Sequence, residues 1–225
     1  NLSRATGDIS HLAASVTDGI ADGGLQVRAL LSEPDGTLWV ATAGGVDRID
    51  PLGGRRTRVL DLPDARRANA LARDFDGAVW LGTDAGLFRV PSGTREAAPT
   101  AHTAPVHSLL LDRRGRLWAG SRGLFEIDTS TGRGGPHWPR AGADFGSDTP
   151  VDALAEDASG RIWAAIRGQG LRRYDPDRGQ VAVVREIPGV PATLMEDSIS
   201  SLMLDRSGML WVGGLIRGIA ITDPE

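Results

Sequence analysis

Four histidines, His11, His102, His107 and His137, are the residues of this 225-residue chain with the widest chemical repertoire, and their spacing gives them little to do together. No two stand at a metal-ligating interval on one strand or helix, and the chain has no cysteine to complete a thiolate site. There is no Gly-x-Ser-x-Gly elbow and no phosphate-cradling loop. No catalytic residue, metal or other cofactor is expected. His102 and His107 straddle Pro105 and are expected at the surface.

A stronger signal comes from polar side chains that recur in phase. Arg28, Asn69, His107, Asp152 and Ser200 each follow the first apolar residue of a recurring segment. Their neighbours are uniformly apolar or small, while this position changes type from copy to copy. Asp84, Arg122, Arg167, Gln169 and Arg217 fall in a second recurring place, a short turn later in the segment. Divergence at equivalent positions is how a repeat protein would build a binding face. Arg122, Arg167 and Arg217 suit bidentate contact with a carboxylate or sulfate, so the expected ligand is an anionic small molecule or oligosaccharide. For any single residue the plainer alternative is a solvated strand end.

The elements that must position these side chains are five copies of one repeat, at 27–50, 68–90, 106–128, 151–175 and 199–223. Their tryptophans, Trp39, Trp80, Trp118, Trp163 and Trp211, are separated by 41, 38, 45 and 48 residues. Each copy opens on a short apolar strand, as in VRALL or VHSLLL, that suits burial on both faces. A turn follows, preceded by an acidic or polar residue and ending in Gly36, Gly77, Gly115, Gly160 or Gly208, where glycine supplies the positive φ of a tight hairpin. The second strand carries the Trp, a side chain large enough to fill the space between neighbouring sheets. Two residues later a small residue (Ala41, Gly82, Gly120, Ala165, Gly213) lets backbones approach. A third strand then gives way to variable sequence rich in Gly, Pro and Arg.

Three clear strands and one weak outer strand per repeat specify an all-β fold, a β-propeller of about five four-stranded blades in one domain over 1–225. No 3.6-residue amphipathic pattern of useful length is present, which excludes helical solenoids. The last copy stops after its third strand, and the stretch DISHLAASV at 8–16 precedes the first copy where an outer strand belongs. It is expected to pair with the third strand of the last copy and close the ring, hiding two sheet edges.

Composition narrows the partners. The net charge is −4 and every basic residue is Arg, with no basic arm, so nucleic acid is not an expected ligand. No apolar run approaches the roughly 20 residues that span a bilayer, so this segment is not expected to insert into a membrane.

The repeat itself, Asp-x-x-Gly-x-aliphatic-Trp followed by a small residue and Gly-Leu, resembles the two-component regulator propeller repeat of bacterial sensors. The likeness is strongest in the second copy, with Asp76-Gly77 and Trp80-Leu81-Gly82-Thr83, and in the third, with Asp112 and Gly115-Arg116-Leu117-Trp118. The fourth departs at Ala165-Ile166 and the fifth at Gly213-Gly214, where Thr or Ser is missing. That resemblance implies a periplasmic or extracytoplasmic sensing region, a small-molecule or glycan ligand, and a signalling output module in the same parent protein or a partner. The family usually carries more than five blades. A metal-dependent lyase of the streptogramin-lyase type is an alternative, with His107 at the suitable place; a protein-interaction scaffold is another. Trp138, in GGPHWPRAGADFG, is expected in an irregular segment, as an exposed aromatic or an outer plug.

Overall fold

A computed structural model describes residues 26–50, 55–62, 66–138, 149–186 and 194–224. They form five antiparallel sheets, one per repeat, in the all-β propeller arrangement that the repeat predicts. Blade 1 comprises β1 (Val27–Ser32), β2 (Leu38–Thr42), β3 (Gly45–Ile49) and β4 (Arg56–Asp61), and blade 2 comprises β5 (Ala68–Arg73), β6 (Val79–Thr83), β7 (Gly86–Val90) and β8 (Ala98–Pro99). In blade 3 stand β9 (Ser108–Leu111), β10 (Leu117–Ser121), β11 (Gly123–Ile127) and β12 (Gly134–Trp138). Blade 4 holds β13 (Val151–Glu156), β14 (Ile162–Ile166), β15 (Leu171–Asp175) and β16 (Gln180–Val184), and blade 5 holds β17 (Ile199–Leu204), β18 (Leu210–Gly214) and β19 (Ile219–Thr222). Each sheet is a meander in chain order. The closing strand expected at 8–16 lies outside the described residues.

One hydrogen-bonded unit recurs at the first turn of the blades. The Asp six residues before the Trp uses one carboxylate oxygen to accept a backbone N–H across the turn: Ala78 on Asp74, Arg116 on Asp112, Arg161 on Asp157 and Met209 on Asp205, at 2.8–3.1 Å. Its other oxygen accepts the indole N–H of Trp80, Trp118, Trp163 or Trp211, at 2.7–2.9 Å. The glycine between them takes a φ of 77–88° in blades 2 to 5. The turn therefore hands the blade its aromatic anchor in a fixed pose. In blade 1 the position belongs to Glu33, and the Trp39 indole N–H is buried with no partner among the described residues. Glu33 instead meets Arg48 and Arg73 at 3.5 and 3.8 Å.

The Trp of each of blades 1 to 4 packs against the following blade. Trp39 joins Ala68, Val79, Leu81 and Val90 of blade 2; Trp80 joins Val106, Leu117, Ala119 and Ile127 of blade 3. Trp118 meets Ile162, Ala164, Ile166 and Tyr174 of blade 4, with the Tyr174 ring edge-on at 5.9 Å. Trp163 meets Ile199, Leu210 and Val212 of blade 5. These four clusters are the core.

Burial is distributed differently from the expectation. The second strands β6, β10 and β14 are buried throughout, whereas the inner strands β5 and β13 alternate buried and half-buried residues. The inner strand packs on its neighbours with one side and lines the central channel with the other. The segment containing Trp138 also corrects the sequence reading: Gly134–Trp138 is the outer strand β12, paired with β11. Backbone pairing to an open edge needs no side-chain pattern, and an edge tolerates Gly and Pro.

The clasp predicts two opposite effects. Asp112→Ala strands a buried indole N–H and the turn amides and should cost about 3 kcal/mol. Glu33→Asp should bring a carboxylate to the Trp39 indole and gain about 1 kcal/mol, both read by urea denaturation.

Candidate functional site

Four of the five phased polar residues on the inner strands are β-bulges. In blade 1, Val27 pairs with Thr42 and Ala29 with Ala41, leaving Arg28 as the extra residue. The same shift occurs between Ala68 and Ala70, Val151 and Ala153, and Ile199 and Ser201, which makes Asn69, Asp152 and Ser200 the extra residues. His107 holds the equivalent place at the entry to β9, its backbone N–H donating to Gly120 O at 2.8 Å. A bulge re-aims a side chain that regular pleating would direct elsewhere. All five residues line one cavity of about 640 Å³, together with Val27, Arg167, Ile199 and Leu215 among others.

The small residue that follows each Trp fixes how tightly these strands gather. A Cβ on Gly82 would stand 2.7 Å from Val106 of blade 3, and one on Gly120 would stand 2.7 Å from the Val151 carbonyl of blade 4. In blades 3 and 4 the apolar residue just before the polar one, Val106 or Val151, is therefore wedged against the preceding blade. The bulge then carries the polar side chain free of that contact.

Polar groups at the mouth are largely preorganised. Arg167 donates two hydrogen bonds to Asp152, from Nε at 2.8 Å and from Nη2 at 2.6 Å. Asn69 Nδ2 donates to Asp84 Oδ1 at 2.8 Å and to Val106 O at 3.1 Å, which leaves its Oδ1 as an acceptor. Ser200 Oγ donates to Gly213 O at 3.1 Å. Arg28 is exposed, and its guanidinium makes no hydrogen bond or ion pair among the described residues. It is the cation of the mouth that a ligand can claim without displacing a partner.

The other candidate positions stand apart from the cavity lining. Asp84 lies behind Asn69 and also accepts the Arg67 backbone N–H at 3.1 Å. Arg122 is exposed in the turn between β10 and β11. Gln169 Nε2 donates to Thr149 Oγ1 at 3.0 Å. Arg217 donates to Glu186 Oε1 at 2.7 Å and Met195 O at 2.8 Å, tying the β18–β19 turn to the segment before β17. Of the three turn arginines, Arg167 alone lines the cavity.

The histidines divide. His107 lines the mouth, where burial, opposed by Asp152 and Asp84 and aided by Arg167 and Arg28, holds its pKa below the ordinary histidine value. His102 is not at the surface: it is 8% exposed, its ring edge-on to Phe125 at 5.0 Å, and burial lowers its pKa. The second repeat returns to the third through this segment, and β12 of blade 3 lies against it: a Cβ on Gly134 would stand 2.7 Å from the His102 ring. Among the described residues no group of His, Asp and Glu could hold a metal ion.

Residues 102–123 match the family described as two component regulator propeller. No curated protein matches the chain. Among solved structures, the extracellular domain of the putative one component system BT4673 from B. thetaiotaomicron is 23% identical, with a TM-score of 0.73 over 87% of this chain and 27% of its own. The extracellular domain of the putative hybrid two component system BT3049 from the same organism is 19% identical, with a TM-score of 0.70 over 87% of this chain and 26% of its own. A catalytically inactive virginiamycin B lyase from Staphylococcus aureus is 15% identical, with a TM-score of 0.66 over 92% of this chain and 73% of its own. The chain thus spans about a quarter of the length of these two extracellular domains. At these identities the likeness speaks to the fold.

The two lowered histidines set a pH dependence. The unfolded chain takes up protons near the ordinary value of about 6.5 before the folded one does, so stability falls as pH drops below about 6.5. His102→Phe should weaken that loss when denaturation midpoints at neutral and mildly acidic pH are compared. Residues 102–123 of the third repeat match the two component regulator propeller, and the chain shares its propeller fold with extracellular domains of a putative one component and a putative hybrid two component system.

Proposed function

We propose that this chain is a non-catalytic ligand-binding propeller of a bacterial two-component sensor, acting outside the cytoplasm and reporting to an output module in its parent protein or a partner. Its ligand is an anionic small molecule or oligosaccharide bound at the channel mouth. The observation that carries this reading is the convergence of five differing residues, Arg28, Asn69, His107, Asp152 and Ser200, on one cavity. A scaffold ring has no need to place a different polar type at the same position of every blade.

Roles follow from the hydrogen bonds. Arg28 anchors the anion, His107 offers a neutral imidazole, and Asn69 offers an acceptor whose orientation Asp84 fixes. Arg167 neutralises Asp152, so the acid adds hydrogen-bond acceptors to the mouth without repelling an anion. Arg122, Gln169 and Arg217, on the turns after the second strands, stand outside the cavity lining. The non-catalytic reading is supported by the absence, among the described residues, of any hydrogen bond between His107 and the Asp152 or Asp84 carboxylate, which instead accept from Arg167 and Asn69.

A thermal-shift screen of uronates, sulfated disaccharides and small dicarboxylates, followed by calorimetry on the best binder, tests this. Arg28→Ala should weaken binding about 10- to 100-fold, the worth of one charge-assisted pair. Arg167→Ala should also weaken it, by releasing the Asp152 charge into the mouth, while Arg217→Ala should leave it unchanged. Full retention of affinity in Arg28→Ala would refute the assignment.

A further inference from the structure

The first blade departs from a pattern that the other four share, and a cavity opens where it does. In blades 2 to 5 an aspartate carboxylate accepts the indole N–H of the anchoring Trp. Blade 1 has Glu33 there, with its carboxylate 3.5 Å from Arg48 and 3.8 Å from Arg73. The Trp39 indole N–H is left without an acceptor, although the residue is only 2% exposed. Glu33 and Trp39 both line a cavity of about 240 Å³, room for about eight waters, together with Arg48, Gly77, Ser92 and Arg95. In the repeat the indole N–H is directed at the turn acid, so that of Trp39 is aimed at the space that Glu33 borders.

This cavity lies inside the junction of blades 1 and 2, with Trp39 of β2 and Arg48 of β3 on one side and Val79 of β6 and Val90 of β7 on the other. One residue of the turn explains why it is open. At the next two junctions the residue after the acid reaches across: the Phe75 ring would lie 3.1 Å from a Cβ on Gly115 of blade 3, and Arg113 donates from Nη2 to the Asp157 carbonyl of blade 4. In blade 1 that position is Pro34, too short to do the same. Beside the facing Gly77 stand Ser92 Oγ and Arg73 Nη2, 2.9 and 3.1 Å from where a Cβ would be. Ser92, Gly93, Thr94 and Arg95 are exposed, so a small solute can enter past the turn between β7 and β8. The site is separate from the channel mouth, since Glu33 and Arg28 stand at opposite ends of β1, about 16 Å apart along the strand.

We propose that this cavity binds a small monocarboxylate, one oxygen of which accepts the Trp39 indole N–H as the aspartate does in every later blade, while the other takes the Arg95 guanidinium. The chain specifies the chemistry itself, because it meets this indole with a carboxylate four times. Charge agrees with it. Arg48, Arg73 and Arg95 stand with Glu33 and Asp35, an excess of one positive charge that a monoanion cancels. Arg95 makes no hydrogen bond or ion pair among the described residues, so it can turn to the ligand. Arg73 Nε, buried without a hydrogen bond, is a further donor at the wall. A buried donor left unpaired is costly, and an acceptor brought by the ligand removes that cost. The bound acid completes from outside the clasp that the blade 1 sequence lacks.

Titration of the full chain with acetate, propionate and butyrate, followed by the six indole N–H signals of its proton–nitrogen correlation spectrum, tests this. The wild type should show one indole signal moving downfield and saturating in the low millimolar range expected of so small a ligand. Glu33→Asp supplies the carboxylate from within the chain, so the same signal should be displaced before any acid is added and should no longer respond. Arg95→Ala, at an exposed position, should weaken the response about 10-fold. Sodium chloride at equal concentration should not reproduce it. A shift that never saturates, a chloride response equal to that of acetate, undiminished affinity in Arg95→Ala, or a full response in Glu33→Asp overturns the inference.

Discussion

The carboxylate that joins the first turn of a blade to the indole of its second strand is the contact on which the remaining structure depends. A Trp side chain is worth several kcal/mol when buried, but it carries an N–H that must find an acceptor. Here one acidic residue serves both the turn amides and the indole, so closing the hairpin and orienting the anchor are a single event. Burial alone would raise the Asp112 carboxyl, yet the Trp118 indole and Arg116 hold it below its ordinary value. Asp205 is drawn down to about 2 by the Ser207 hydroxyl and the Trp211 indole. The unit is local in sequence, spanning seven residues from Asp to Trp, and can form before any two blades meet.

Anchored tryptophans then set the spacing between blades, and that spacing governs the mouth. With Gly82 and Gly120 allowing no Cβ, the residues Val106 and Val151 press directly on the preceding blade. The polar position beside each wedge is released by a bulge, or in blade 3 by the late start of the strand. Variation there leaves the packing of the wedge untouched. The repeat thus separates the residues that must stay the same from those that can differ.

Much of this was legible in the sequence wherever a residue type states its own requirement. Gly77 and Gly115 announce a positive φ, Trp80 and Trp118 announce a buried junction, and the phase of Arg28, Asn69, His107, Asp152 and Ser200 announces one face. What could not be read depends on relations between residues far apart. That Asp152 would neutralise Arg167, 15 residues on, and that Glu186 would occupy Arg217, required the turn to fold back over the strand. Burial of His102 depends on an outer strand whose composition is nearly featureless, β12 with its Gly-Gly-Pro start. The bulge left a faint trace: an apolar residue, a polar one, and then a small one, as in Ala68-Asn69-Ala70.

Neutralisation at the mouth changes what recognition can mean there. Three turn arginines read as a cluster of positive charge, but two are committed to Asp152 and Glu186, so bulk electrostatic attraction contributes little and the arrangement of paired groups matters more. A fixed Arg167–Asp152 pair presents donors and acceptors at set positions, and a fixed Asn69 presents one carbonyl oxygen. Such groups lose little conformational freedom when a ligand arrives, which favours discrimination between ligands of similar charge over raw affinity. Only Arg28, at the first blade, can reorganise freely around an anion. The mouth is therefore stiff on the side of blades 2 to 4 and adaptable at blade 1, where the bulge of the first inner strand carries Arg28.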